Sequence, residues 1–336
     1  VFPTPWLLPI SLGSGGPLTY RGADTMTPAL AFVDLHKTYR GGTRALRGMS
    51  LEVPKGSFFG LLGLNGAGKT TCINAVAGLV RPSSGRVEVH GFDAQKQYRQ
   101  AHRLLGIAPQ EIVLDGRFLN VRNILVYNAG YFGMPKRQAD SRADELLQTF
   151  ALWSKRHDRV QELSGGMKRR LNLAKALVHD PSVLILDEPT AGADVALRHQ
   201  IWDELRRLNA LGKTVLLTTH YLEEAERLCD EVAILHQGRV VRSGKLHTLI
   251  HTTRPDHVLI HTDPPLKAVP QGCSSSCHPT LIEGALRVEG ALHDDFLLKL
   301  LASLPHQGTS VRSVSVQKAT LEETFLDLVQ HSEEER

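Results

Sequence analysis

The chain has 336 residues, 42% of them hydrophobic and 22% charged, with a formal net charge of +4. That length suggests two domains, or one large domain with an appendage, and the composition is that of an ordinary globular protein able to bury a sizeable core. No run approaches the roughly 18 apolar residues that a membrane-crossing helix needs, and the charges are interspersed as on a mixed, solvated surface.

Residues 1–25 are rich in Pro, Gly and Ser and lack periodicity. The apolar stretch 6–10 is too short and too broken by proline for a signal-peptide core, and no basic segment precedes it. The expectation is a disordered extension or an overextended gene start, with Met26 as initiator. Residues 32–39 and 46–53 alternate in polarity and read as strands of an antiparallel edge sheet. A strand at 57–62 runs into a Gly-rich turn, followed by a helix at 70–79 and a strand at 86–89. From 121 to 152 the pattern is helical. A helix at 164–178 opens at a Ser-Gly-Gly turn. Then come a buried strand (183–186), a helix (195–211), a strand (215–218), a helix (221–229) and a strand (231–235). Strands alternating with helices predict an α/β core with a parallel sheet.

After Leu249 the character changes. Short strands are expected at 257–261, 285–288 and 311–316, with helices at 291–304 and 320–331. Thr320 and Glu323 form a capping box at the start of the last helix. This reads as a small α+β domain reached through 252–255. Cys72 and Cys229 are isolated, and Cys72 reads as small-residue packing on the first helix. Cys273, Cys277 and His278 cluster, but a fourth metal ligand is missing, so a flexible Ser-rich loop is the reading. Nothing demands disulfides, which fits a reducing cytosol.

The chemistry lies in two motifs. Gly63, Leu64, Asn65, Gly66, Ala67, Gly68, Lys69 and Thr70 match the phosphate-loop pattern between a strand and a helix. Phosphates need converging N–H donors free of side-chain obstruction, which glycines permit, and the helix N-terminus adds its positive dipole end. Lys69 is placed to reach the β- and γ-phosphates of ATP, and Thr70 to offer its hydroxyl to Mg²⁺. Downstream, a buried apolar strand ends in Asp187 and Glu188. Asp187 is expected to hold Mg²⁺, and Glu188 to polarise the attacking water.

Between them lies Leu163-Ser164-Gly165-Gly166-Met167. Together these motifs resemble the ABC-transporter ATPase family, over about residues 30–249. The resemblance implies a P-loop NTPase core: a parallel sheet, an antiparallel edge sheet and a helical subdomain at about 115–165, within an ATPase domain at 26–249. A C-terminal α+β accessory domain follows at 250–336. It implies that Tyr39, 24 residues before Gly63, stacks on adenine, and that Thr71 joins the nucleotide-binding set. Gln110 would contact Mg²⁺ or water and sense the transporter partner. The loop 191–194 would carry communication between subunits, and His220 would contact the γ-phosphate. Two subunits, identical or close paralogues, would dimerise head to tail, with ATP between 63–71 of one and Ser164, Gly165 and Gly166 of the other.

The signature has Met167 where many members have Gln, and the following region has Asn120 and Asn123 where relatives more often have Thr and Glu, in a stretch beginning at Phe118. Soluble ABC proteins acting on ribosomes, the alternative class, usually carry two cassettes, and this chain has one. DNA-repair members insert long modules, whereas Gln110 and Ser164 are only 54 positions apart. The stretches HYLEEAERLCDEVAIL, GRVVRSGKL and ATLEETFLDL look most like bacterial exporters of the drug, polysaccharide or lipid kind. The resemblance therefore implies integral-membrane permease partners, a peripheral place on the cytoplasmic membrane face and no nucleic-acid partner.

Overall fold

The computed structural model describes residues 27–110, 119–253, 257–266, 268–269, 279–282, 284–289, 300–302, 304, 309–317 and 319–334. The extension 1–25 with Met26, the Cys273/Cys277/His278 loop, Phe118 and most of the helix expected at 291–304 lie outside them.

Strands β1 (Leu30–Thr38), β2 (Arg44–Val53), β4 (Ser84–Val89) and β5 (Phe92–Asp93) form an antiparallel sheet in the order β2-β1-β4-β5. A six-stranded sheet carries the rest of the core in the order β10-β9-β3-β8-β7-β6. Its strands are β3 (Phe58–Leu62), β6 (Leu105–Ala108), β7 (Val183–Asp187), β8 (Thr214–Thr219), β9 (Glu231–His236) and β10 (Arg239–Lys245). All its pairings are parallel except β9 with β10. β3, β7 and β8 are buried along their whole length. Strands covered on both faces must be apolar throughout, which is why they read as continuous apolar runs.

Alternate residues of these strands serve two cores. Phe59, Leu61, Ile185 and Leu216 pack with Ile73 and Val76 of α1 (Lys69–Val76) beneath the antiparallel sheet. Phe58, Leu62, Leu184, Leu186 and Leu217 face the other way, toward helices α3 to α7. These are α3 (Val121–Tyr131), α4 (Lys136–Thr149), α5 (Gly165–Leu177), α6 (Val195–Ala210) and α7 (Leu222–Leu228); a short α2 (Tyr98–Arg103) precedes β6. Asn120 caps α3 by accepting from Asn123 N at 2.8 Å. Asparagine does the capping work of threonine here, so the departure noted at position 120 keeps the helix start intact. Arg122 then ties α3 to α4 through Asp144 at 2.6 Å and Asp140 at 2.9 Å.

After α8 (Leu246–Thr253), strands β11 (His257–Asp263), β12 (Thr280–Ile282), β13 (Ala285–Glu289) and β14 (Ser310–Gln317) form an antiparallel sheet, order β12-β13-β11-β14. Val258, Ile260, Leu286 and Val288 give it a core of its own with Leu300 and Leu304. The final helix α9 (Leu321–Glu334; the pairing of Glu323 N with Thr320 Oγ1 at 3.3 Å supplies its cap) turns back to the ATPase body. Leu321, Phe325 and Val329 are buried in the main core, against α7, α8 and β10.

Candidate functional site

Parallel strands deliver their C-terminal ends to one edge of a sheet, and that edge is where α/β folds place ligands. Here Leu62 pairs with Thr219, Asp187 with Thr218, and Ala108 with Leu186. The residues that follow these strand ends are Gly63, Glu188, His220 and, after Pro109, Gln110. Register alone therefore brings four separated motifs to one level.

The phosphate loop leaves β3 and enters α1. Gly68 sits at φ 112°, and a Cβ there would lie 2.7 Å from Ala45 O. Gly63 is equally confined, since a Cβ would lie 2.5 Å from Leu235 O. Gly66, at φ 82°, has open space beside it. Lys69 is buried and its Nζ donates to Gly63 O at 2.6 Å and Leu64 O at 3.2 Å. Burial holds its pKa below the ordinary lysine value, while the charges of Glu188 and Asp187 oppose the shift. Among the described residues the hydrogen bonds of Lys69 go only to carbonyls of its own loop, which suits a buried ammonium to an incoming anion. Leu64, Asn65 and Thr70 are exposed around it, and Ala67 is buried. Tyr39 follows β1 and is exposed beside the phosphate-loop helix, its hydroxyl 3.2 Å from Thr71 Oγ1 and the Lys37 Nζ 5.1 Å from its ring centroid.

Asp187 is buried at the end of β7 and accepts from Thr218 Oγ1 at 2.5 Å. Burial raises its pKa, partly offset by that hydrogen bond and by Lys69 and Arg169. Glu188 accepts from Gln110 Nε2 at 2.9 Å and pairs with His220 Nδ1 at 2.8 Å. Its backbone is left-handed, φ 50°, and its N–H donates to Thr218 O at 2.9 Å. The structure thus gathers Lys69, Gln110, Asp187, Glu188 and His220. It does not bring Ser164, Gly165 or Gly166 to them: among the described residues no hydrogen bond joins these three to 63–70. Ser164 caps α5, accepting from Met167 N at 3.3 Å, and Ser164 and Gly165 are exposed. Met167 uses only its backbone in that cap, so a glutamine is not required for it.

Two contributors escaped the sequence reading. Arg169, one turn into α5, is buried; its guanidinium donates to Gln110 O at 3.2 Å and Ala191 O at 3.1 Å. Thr218 holds Asp187. A basic residue in an already basic stretch, KRR, and a threonine inside a strand carry no signal of their own.

A Gly-rich loop at a parallel-sheet edge, a buried lysine and a strand-end acid pair define a P-loop ATPase with an appended helical subdomain. The family model described as ABC transporter matches residues 46–191. The Nod factor export ATP-binding protein I of Rhizobium etli is 46% identical over 222 residues, covering 66% of this chain and 70% of that protein. The protein of that name from Ralstonia nicotianae is 42% identical over 238 residues, 70% of this chain and 74% of its own. Among solved structures, an ATP-binding subunit of an ABC transporter superposes with a TM-score of 0.62 at 30% identity, over 67% of this chain and 92% of that one. A dimeric bacterial ABC transporter cassette gives 0.60 at 26%, over 65% and 98%. The chain belongs to the ATP-binding subunits of ABC transporters, and it binds and hydrolyses ATP.

Proposed function

We propose that this chain is the motor of an exporter, working as a dimer that closes on ATP and driving separate membrane subunits. The observation that carries this reading is the split between two exposed half-sites. The phosphate loop with its acid cluster lies on one edge, and among the described residues no hydrogen bond joins it to the helix N-terminus at Ser164, which its own serine caps. An exposed helix N-terminus is an anion site waiting for a phosphate, and within one chain it faces none. A head-to-tail dimer supplies it. The dimeric cassette among the structural relatives supports dimerisation.

Within that site Tyr39 stacks the base, and 63–71 cradle the phosphates, with Lys69 neutralising them. Mg²⁺ suits the oxygen donors Thr70, Asp187 and Gln110, a hard-ligand set; when bound, it supplies charge neutralisation on the transferring phosphoryl group. Asp187 shows the fit, as a buried carboxylate with one neutral donor. Glu188 orients and polarises the attacking water, and His220 contacts the γ-phosphate. Rate then comes from positioning and charge rather than from covalent chemistry. The assignment of 26–249 to the ATPase unit and 250–336 to an accessory unit belongs to this reading.

The names of the relatives, Nod factor export proteins, support export as the direction of transport; cargo of the drug, polysaccharide or lipid kind is what the family resemblance adds. No described helix is long and apolar enough to cross a membrane, so a membrane path would come from permease subunits, with this chain peripheral on the cytoplasmic face. Leu79, Tyr98, Tyr127 and Tyr131 are exposed and offer a surface suited to such a partner. Exposed aromatics of this kind anchor interfaces.

The test is ATP binding and turnover by two variants. Glu188→Gln is expected to bind ATP and lose at least about 100-fold in kcat; Lys69→Ala is expected to lose ATP affinity. Near-normal turnover in the first, or unchanged binding in the second, removes the corresponding role.

A further inference from the structure

Helix α7 carries a carboxylate that the site above does not use. Glu224 is fully buried. Its Oε1 accepts from Trp202 Nε1 of α6 at 2.9 Å and from Thr190 Oγ1 at 3.0 Å. Both donors are themselves buried. A buried acid served by neutral donors is a poorer packing solution than an apolar side chain of similar shape. The reason for an acid is to be sought in what it holds.

Thr190 stands two residues after Glu188, in a tight turn. Ala191 N donates to Glu188 O at 3.2 Å, and Ala193 N to Thr190 O at 2.9 Å. Glu188 itself is at φ 50°, a conformation that a residue with a side chain keeps only when its surroundings over-determine it. Thr218 O holds its N–H on one side. Arg169 grips Ala191 O. Glu224 is the remaining side-chain anchor of the turn among the described residues, and it acts on Thr190 alone.

We propose that Glu224 is a positioning residue for ATP hydrolysis. Through Thr190 it fixes the turn that sets the backbone of Glu188, and so the direction in which the Glu188 carboxylate points. This rests on the reading of Glu188 as the group that polarises water. α7 begins two residues after His220 and carries Glu224, so one short segment bears a group that pairs with Glu188 directly and a group that acts on it through the turn.

The test compares Thr190→Val, Glu224→Ala, Glu224→Gln and Trp202→Phe in ATPase assays. Thr190→Val keeps shape and removes only the hydroxyl, so it carries the test even where Glu224→Ala folds poorly. Thr190→Val and Glu224→Ala are each expected to lose roughly 10- to 100-fold in kcat, the scale of a small misplacement of reacting groups. ATP KM should stay within about twofold, as for an interaction made only in the transition state. Their double variant should be no worse than either. Glu224→Gln keeps an acceptor oxygen for Thr190 and should restore most of kcat. Trp202→Phe removes the other donor of the same carboxylate and should retain kcat. Wild-type kcat in Thr190→Val overturns the proposal, and so does a kcat loss that follows Tm across the set whichever contact is removed. If Glu188→Gln turns over normally, the underlying reading of Glu188 fails instead. If Glu188→Gln is inactive and Thr190→Val is not, only the present proposal fails.

Discussion

Single residues set the site by confinement as much as by chemistry. Gly68 must be glycine for two reasons at once: its φ of 112° and the 2.7 Å that would separate a Cβ from Ala45 O. Gly68→Ala is therefore expected to lower Tm and abolish ATP binding together, read by thermal melts with and without nucleotide. A wild-type Tm in that variant would show that the loop relaxes freely. Of the candidate residues that meet at the sheet edge, Lys69, Asp187 and Glu188 border elements recognisable in the sequence, whereas Gln110 and His220 were pointed to by the family resemblance alone. Arg169, Thr218 and Glu224 were not legible. Their partners are backbone carbonyls or residues brought near by the fold, at Gln110 O, Ala191 O, Asp187 and Thr190. Spacing in sequence holds no trace of such pairings, whereas a glycine pattern announces its own backbone.

Elements were legible where one face or both were buried. The continuous apolar runs of β3, β7 and β8, and the period of α3 to α6, follow directly from two-sided coverage and one-sided packing. The misses are instructive. β6 is only four residues, in GIAPQE, and is a strand because β7 pairs with it. β10 is an edge strand with mostly exposed residues, RVVRSGK, whose pairing with β9 is a tertiary choice. Element ends also carry testable load. Asn120→Ala removes the cap of α3 and should cost about 1 kcal/mol of unfolding free energy; no change in a denaturant titration would contradict the cap. His179, just beyond α5, stacks on Phe132 at 3.6 Å and bonds to Leu105 O at 2.8 Å, joining the end of α3 to β6. Burial holds its pKa below the ordinary histidine value, and burial lowers His90 and His102 likewise. Below about pH 6.5 the unfolded chain then binds protons that the folded chain refuses, so stability falls as pH falls. Melts at pH 7.5 and 5.5 should show a lower Tm at acid pH, and a smaller drop in His179→Gln; equal drops would exclude His179 from the effect.

At the scale of the molecule, the sequence pattern anticipated a separate C-terminal unit, and the structure divides that region in use. Its sheet has a core of its own, while α9 is buried in the ATPase body beside α7. Periodicity identified α9 as amphipathic, yet an amphipathic face does not say which neighbour it meets. Phe325→Ala should cost roughly 3–5 kcal/mol, as for other buried phenylalanines, and should do so in the melting of the ATPase unit.

The central claim is that one chain holds two half-sites and a second chain completes them. Light scattering of Glu188→Gln with and without Mg-ATP tests this most directly. The expected result is a monomer that doubles its mass on adding Mg-ATP, and a Glu188→Gln/Ser164→Arg double variant that binds ATP and remains monomeric. A monomer at saturating Mg-ATP, or an ATP-driven dimer indifferent to Ser164→Arg, would contradict it.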